Sequence, residues 1–284
     1  MPAETAQERL QNLSANLQRL IFKLKPVVSS GPVHHLRTTA RRIESYLKFA
    51  GPDLSRRHEA SLEKMAALRR RAGKVRDFDV QIELLKEIAN GSTAADRRVL
   101  ADHLSAKRQR QAERLSREAR KLRQSKFFGH LEEISQAVTR STPEKHPLEE
   151  AQAQLAALGR RITEVQKIKP RQLHALRTKL KMTRYLAEAG PESEEQRTFL
   201  TAVKAVQDAI GGWHDWEQLS RSAEKKFHER ANCPLVEEIR GLCAAKFAAA
   251  LSSADRLLLN SAKKESRKPP KSASPRLAFA HRAG

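Results

Sequence analysis

The chain has 284 residues, enough for one large domain or two domains of ordinary size, and its 55 Lys and Arg residues outnumber its 33 Asp and Glu residues. The resulting net charge of +22 favours a polyanionic partner, and an alanine-rich composition with 5% aromatic residues is typical of helical bundles rather than β-sandwiches. Two cysteines are too few for a disulfide framework, and no apolar run approaches the ~18 residues of a membrane span. We therefore expect a soluble, cytoplasmic, all-α protein that does not enter a membrane.

Apolar residues at helical spacing predict a succession of helices up to about residue 262. The first helix carries a leucine stripe that begins at Leu10, and a long Arg-rich helix follows the "NGST" segment. Proline, glycine and polar turns mark the predicted breaks, because these residues start or end helices. The breaks are placed at Pro26, Gly51, Gly73, residues 90–93, Gln124, the linker from Pro143 to Pro147, and Pro170.

Two parts of the chain repeat each other. The stretch "VHHLRTTARRIESYLKFAG" from Val33 returns as "LHALRTKLKMTRYLAEAG" from Leu173, and a downstream pair of segments aligns Asp77 with Asp215. A duplication of roughly 140 residues predicts two similar helical bundles related by an approximate two-fold axis. The predicted units are a first repeat at 1–142 and a second repeat at 143–262.

Basic side chains border the predicted buried face of both repeated helices. At about 100° of rotation per residue, Val33, Leu36 and Ala40 share one arc, and His, Arg and Lys residues occupy the arc beside it. A single stripe of this kind is often a solvated flank, but its repetition at four matched positions favours a site for an anion. The basic residues are His34, Arg37, Arg41 and Lys48 in the first helix and His174, Arg177, Lys181 and Arg184 in the second.

The repeated stretches resemble the paired signatures of the CHAD family, the conserved histidine α-helical domain. The first signature is similar to "VHHLRTTARR" followed by the "RDFD" helix, and the second to "LHALRTKLKMTRY", so the resemblance spans roughly residues 8 to 260. It implies two four-helix bundles around a basic central channel that binds long-chain inorganic polyphosphate, with the protein located on polyphosphate granules. The implied ligands are His34, Arg37, Arg41, Arg42, Arg76, His174, Arg177, Lys181 and Arg184.

Two positions depart from this pattern. Arg42 fits the signature although the helical wheel turns it outward, and His214 stands where the signature has a basic residue before Asp215. The half that contains His214 is therefore expected to hold phosphate less tightly near neutral pH. Histidines among cations are expected to be neutral in the free protein and to gain a proton when phosphate enters. We therefore expect tighter binding at mildly acid pH.

Other charged residues extend or support the predicted site. The long Arg-rich helix carries a basic stripe about 20 Å long, which is either a solvated face or an extension of the anion track. Asp77 and Asp215 follow glycines and are expected near helix starts, where they either favour the helix dipole or brace the arginines of the site. The stripe consists of Lys107, Arg110, Arg114, Arg117 and Lys121, with Arg114 as its best site candidate.

The segment from Lys263 onward is rich in Pro, Ser and Lys, and residues 263–284 are predicted to form a disordered basic tail. This segment contains seven basic residues and one acidic residue. Residues 1–262 therefore keep 48 basic against 32 acidic residues (55−7 and 33−1), or +16. The folded part is strongly basic without the tail.

Two other functions remain open. Charge alone predicts weak, salt-sensitive binding of nucleic acid, although aromatic residues for base stacking are scarce and no DNA-reading motif is found. An enzyme that processes phosphate chains is the second alternative, but the sequence has no "ExExK" motif, no P-loop and no clustered carboxylates for Mg²⁺. We expect a non-catalytic binding protein that needs no cofactor, and the sequence predicts no particular oligomeric state. No metal site is expected, because each histidine lies among cations that repel a metal ion.

Overall fold

The computed structural model describes residues 6–24, 30–88, 93–138, 146–162, 164–230 and 232–266. Within these ranges the chain forms nine α-helices and one short 3₁₀ helix and contains no strand, which confirms the predicted all-α class. None of these helices combines the length and the apolar character that crossing a bilayer requires. The α-helices are α1 (Ala6–Lys23), α2 (Ser30–Ala50), α3 (Arg56–Glu87), α4 (Ala94–Arg123), α5 (Phe127–Val138), α6 (Pro147–Arg161), α7 (Pro170–Glu188), α8 (Glu194–Lys226) and α9 (Pro234–Ser266), and the 3₁₀ helix is Val165–Lys167.

Several predicted helix ends are confirmed. Helix α2 ends just before Gly51, whose φ of +56° lies in the left-handed region that favours a residue without Cβ. The "NGST" break falls between α3 and α4, and α4 ends one residue before Gln124. Pro26 and Pro143 lie outside the described residues, whereas Pro147 is the first residue of α6.

Two predicted breaks are wrong. Helix α3 continues through Gly73, and α8 continues through its own glycines, so Asp77 and Asp215 lie inside helices rather than near helix starts. The helix-dipole interpretation of these two carboxylates is therefore wrong. A glycine inside a helix costs ~1 kcal/mol relative to alanine, which is too little to end a helix that tertiary packing holds. Pro170 begins α7 instead of ending the preceding helix, because proline suits the first helical position.

Apolar cores hold these helices in place. One core lies between α1, α2, α5 and the adjoining parts of α3 and α4, and contains Leu17 and Leu36. Another lies between α6, α7 and the adjoining parts of α8 and α9, and contains Leu176 and Val203. These two cores correspond to the two predicted bundles. A third core, which was not predicted, joins the remaining parts of α3, α4, α8 and α9, so the two long hairpins share it.

The repeated helices α2 and α7 pack against each other, and α3 packs against α8. At the α2–α7 contact, Oγ of Ser45 lies 3.5 Å from Sδ of Met182. The two basic stripes therefore lie on neighbouring helices. Internal duplication and the boundary between residues 142 and 143 stay predictions. Helix α9 includes residues 263–266 of the predicted tail, and residues 267–284 lie outside the described residues.

Candidate anion-binding site

Two arginines lie over glycines of the neighbouring helices in the same way in both halves. A Cβ atom on Gly73 of α3 would lie 3.8 Å from Nε of Arg37 of α2. A Cβ atom on Gly211 of α8 would lie 3.9 Å from a terminal guanidinium nitrogen of Arg177 of α7. A Cβ at either distance would make an ordinary van der Waals contact, so each guanidinium group lies against the facing helix with room for an alanine side chain. Each glycine precedes an aspartate by one helical turn.

Four cationic side chains meet between α2 and α7, and we call Arg37, Arg41, Arg177 and Lys181 the central basic cluster. Burial lowers the pKa of Lys181 to about 7, and the charges of Arg177, Arg41 and Arg37 contribute to this shift. Burial also lowers the pKa of Arg177, with Asp215 opposing and Arg37 reinforcing the effect. Like charges are therefore held close together where water cannot fully screen them. Such a cluster is stabilised when an anion enters it.

Two carboxylates accompany the central basic cluster. Burial raises the pKa of Asp77, against the opposing charges of Arg37, Arg177 and Lys181. Burial also raises the pKa of Asp215. The charge of the neighbouring Asp77 adds to this shift, whereas the charge of Arg177 opposes it. Asp77 nevertheless remains accessible to water. Arg41 also lies close to Arg69 and Glu44, so the basic side chains in and around the cluster still outnumber the carboxylates.

One donor in the site lacks a partner. Nε of Arg177 is buried and makes no hydrogen bond within the part of the chain that the structure describes. Buried donors in native proteins nearly always have partners, and a charged donor left unpaired is especially costly. The guanidinium group of Arg177 is therefore available for an oxygen from a ligand.

His34, the first histidine of the predicted set, lies at the exposed edge of the central basic cluster. Partial burial lowers its pKa, and Arg76, His35 and Arg37 lower it further through their charges. Arg76 is thus close enough to His34 for their charges to interact, and their membership of one anion site stays a prediction. Because its pKa is lowered, His34 is mainly neutral at neutral pH, in line with the expectation for histidines among cations.

The second histidine, His174, has an acidic partner that the sequence analysis missed. Its Nε2 lies 2.7 Å from Oε2 of Glu217, and its ring lies 4.7 Å from the ring of Trp213. His214 stands beside it, with 4.8 Å between the two imidazole centroids. Burial lowers the pKa of His214 to about 3, and Arg177 is the next largest cause. A neutral His214 adds no charge to the anion site, as predicted for this half.

Arg42 and Arg184 form ion pairs outside the central basic cluster. Nε of each lies 3.0 Å from an oxygen of Glu188, at the C-terminal end of α7. Arg184 also donates to Oε1 of Gln207 at 3.0 Å. Arg42 is exposed, as its outward position on the helical wheel indicated. Both guanidinium groups are thus partly neutralised by one carboxylate, which makes them weaker anion ligands than the central basic cluster.

Part of the predicted stripe on α4 lies beside α8, and its role as an extension of the anion track stays a prediction. Lys107 and Arg110 lie near Lys225 of α8, and the pKa of Lys107 is lowered by burial and by these two charges. Arg114 is exposed, and no described contact connects it to Arg37 or Arg177. Part of the stripe therefore belongs to a basic surface between α4 and α8. Lys225 was not recognised in the sequence, because its proximity to α4 depends on how the two hairpins pack.

The described part of the chain is all-helical and brings basic side chains of α2 and α7 close together. The family model described as CHAD domain matches residues 5–224, and the chain therefore belongs to the CHAD domain family. The match ends within α8, so the resemblance is shorter at its C-terminal end than the predicted residue 260. No curated protein matches the sequence.

Two solved structures share the fold. The CHAD domain from the plant Ricinus communis superposes with a TM-score of 0.66 at 20% identity, covering 89% of this chain and 90% of that chain. PptA from Streptomyces chartreusis superposes with a TM-score of 0.61 at 16% identity, covering 93% of this chain and all of that chain (100%). At these identities the similarity shows a shared fold. The superposed part of the chain is longer than the region that the family model matches.

Proposed function

We propose that the protein binds long-chain inorganic polyphosphate without cleaving it, through the central basic cluster. The observation that carries this proposal is the convergence of four basic side chains from α2 and α7 beside Asp77 and Asp215, two carboxylates of raised pKa. Arginines bind phosphate oxygens through paired hydrogen bonds, and a lysine adds a point charge. Family membership supports the same ligand, since polyphosphate binding is the known role of the CHAD family.

The composition of the cluster favours polyphosphate over nucleic acid. Polyphosphate is a flexible chain of charges without bases or sugars, so its recognition requires cations but no stacking platform. The aromatic residues nearest the cluster, Tyr185 and Trp213, are buried. Single-stranded nucleic acids gain much of their affinity from stacking on accessible aromatic rings. We therefore expect nucleic acids to bind more weakly at equal salt, through charge alone.

A binding role without catalysis agrees with the groups in the cluster. Arginine does not titrate in the physiological range, and the carboxylate groups of Asp77 and Asp215 both interact with the positive charges of neighbouring basic side chains. We expect polyphosphate of defined length to keep that length after incubation with the protein and Mg²⁺. We also propose a cytoplasmic location on polyphosphate granules, to be tested with a fluorescent fusion in cells that store the polymer. The fusion with a neutralised cluster would then lose its association with granules.

The central experiment compares long-chain polyphosphate, single-stranded RNA and duplex DNA in a salt-series titration. The site variant replaces Arg37, Arg41, Arg177 and Lys181 by glutamine or methionine of similar length. A matched control removes four exposed basic residues outside the central basic cluster, namely Lys64, Arg120, Lys126 and Lys246. Both variants lose the same formal charge, so only position distinguishes them.

We expect wild type to bind polyphosphate more tightly than either nucleic acid at equal salt, and only the site variant to lose this preference. Helical circular dichroism establishes that both variants are folded. If the three polymers bind alike, the ligand is not specifically polyphosphate. If both variants lose affinity equally, binding is diffuse attraction to a basic surface and the site is wrong.

A further inference from the structure

Three potential metal ligands meet beside the central basic cluster. Nε2 of His174 lies 2.7 Å from Oε2 of Glu217, and Nδ1 of His214 lies 3.7 Å from the same oxygen. One ligand atom from each residue thus falls within 4.8 Å of the other two. Among the described residues, no other three His, Cys, Asp or Glu side chains bring their ligand atoms this close together.

The surroundings fix the orientation of these groups. The ring of Trp213 lies 4.7 Å from that of His174 and is itself packed 5.3 Å from the ring of Phe247. Arg221 donates to Oε1 of Glu217 at 2.6 Å, which leaves Oε2 directed at the two histidines. Partners of this kind, which orient the ligands without touching the ion, are a regular part of metal sites.

One ligand atom also lacks any partner. Nδ1 of His214 is buried and makes no hydrogen bond with the described part of the chain. A buried ring nitrogen without a partner is unusual in a folded protein. Its distance of 3.7 Å from Glu217 is too long for a hydrogen bond but suits two ligands of one ion. The unpaired nitrogen points to a ligand independently of the spacing of the three side chains.

We propose that His174, His214 and Glu217 bind one divalent transition-metal ion such as zinc. Two imidazole nitrogens and one carboxylate, with a fourth position open, are a donor set that zinc uses with three protein ligands, whereas Mg²⁺ and Ca²⁺ prefer oxygen. At metal–ligand distances of about 2.0–2.1 Å, tetrahedral donor atoms lie roughly 3.3–3.4 Å apart. Small side-chain rotations bring the three atoms to that spacing. In the metal-bound form the neutral His174 ring carries its proton on Nδ1, which leaves Nε2 free to bind the ion.

The neighbouring charges influence how tightly the site binds a metal ion. Arg177 and Lys181 lie close enough to His214 to oppose a bare cation, which is why the sequence analysis expected no metal. The Glu217 carboxylate, not recognised in the sequence, supplies the negative ligand. An anion in the open position, such as hydroxide or phosphate, further offsets the positive charge.

No equivalent site is found among the described residues of the first half. The alignment that pairs Asp77 with Asp215 places Arg76 opposite His214 and Asp79 opposite Glu217. Arginine does not bind metal, and Asp79 instead accepts a hydrogen bond from Nε of Arg108 at 2.5 Å. The protein is therefore expected to bind one ion per chain rather than two.

A titration with Co²⁺, a spectroscopic substitute for Zn²⁺, tests the proposal in buffer without phosphate or polyphosphate. The variants are His214→Arg, which places an arginine where the first half has one, and Glu217→Gln, which keeps the size of the side chain. His35→Ala removes an exposed histidine of α2 and serves as the control. Circular dichroism and thermal melting check that each variant is folded, and Zn²⁺ competition measures the affinity for the biological ion.

We expect wild type and the control to bind one Co²⁺ with the intense visible absorption of a tetrahedral site, displaced by Zn²⁺. Each ligand variant is expected to weaken binding by about 100-fold or more, since even the loss of supporting groups around a metal costs 10–100-fold. Failure of wild type to bind overturns the proposal, as does binding that His214→Arg and Glu217→Gln leave unchanged. Because no polyphosphate is present, either failure leaves the polyphosphate proposal standing.

Discussion

Replacing Lys181 by methionine removes the group that makes polyphosphate binding depend on protons. In the free protein, burial and the neighbouring arginines hold the pKa of Lys181 at about 7. A polyanion in the cluster favours the charged form and returns this pKa towards its ordinary value of 10.5. Binding is therefore expected to take up a proton at any pH between these two values.

The size of the effect follows from the pKa of about 7. At pH 8 about nine tenths of the Lys181 side chains are neutral in the free protein, so binding takes up about 0.9 proton; at pH 6 it takes up about 0.1. Integrated over this range, affinity falls about tenfold from pH 6 to pH 8. His214, whose pKa burial lowers to about 3, stays neutral throughout this range, so this tenfold change is the contribution of Lys181.

Isothermal titration calorimetry in two buffers of different ionisation enthalpy measures the proton uptake directly. Lys181→Met is expected to abolish the uptake at pH 8 and to flatten the pH dependence of affinity. Lys179→Met, on the exposed side of the same helix, is the control and should behave like wild type. Equal uptake by wild type and Lys181→Met at pH 8 would refute the reasoning.

Lys181→Met should also stabilise the free protein, by at most about 5 kcal/mol below pH 7 and by nearly nothing above pH 10.5. The reason is that the folded wild-type protein binds fewer protons than its unfolded state between these two pH values. Denaturant unfolding at pH 6 and at high pH checks the sign. Gly73→Ala should add about 0.5–1 kcal/mol, or about 2 °C in Tm, because its Cβ makes an ordinary contact with Arg37; a lower Tm would contradict this packing. Asp215→Asn should raise polyphosphate affinity severalfold at pH 8, since it removes a carboxylate that competes with phosphate for Arg177, and a weaker complex would assign Asp215 a bracing role instead. Alanine at Lys107 and Lys225 should weaken binding less than alanine at two members of the central basic cluster, as measured in the same titration at fixed salt.

The helical class could be predicted because apolar spacing is a local property of the sequence. The interior glycine of α3 was misread for the same reason, since local propensity does not show that a neighbouring helix supports the backbone around Gly73.

The repeat of the basic stripes identified α2 and α7 as the helices of the candidate site. Arg37, Arg41, Arg177 and Lys181 are brought together because α2 and α7 are neighbours, which the duplication indicated. The pairing of His174 with Glu217 could not be read from the sequence, since the two lie 43 positions apart on different helices.

The same limit applies to Arg42, which fits the sequence signature but is bound by Glu188. These two residues lie 146 positions apart, and their ion pair follows from the angle between α2 and α7. Charge type and periodicity therefore identify candidate ligands, whereas the distribution of acidic partners decides which of them remain available for an anion.

The most direct test of the central claim is a crystal structure of the protein with a short polyphosphate chain bound. We predict phosphate density between α2 and α7, in contact with Arg37, Arg177 and Lys181. Density confined to the α4–α8 surface around Lys107 and Lys225 would contradict the assignment of the central basic cluster as the primary site.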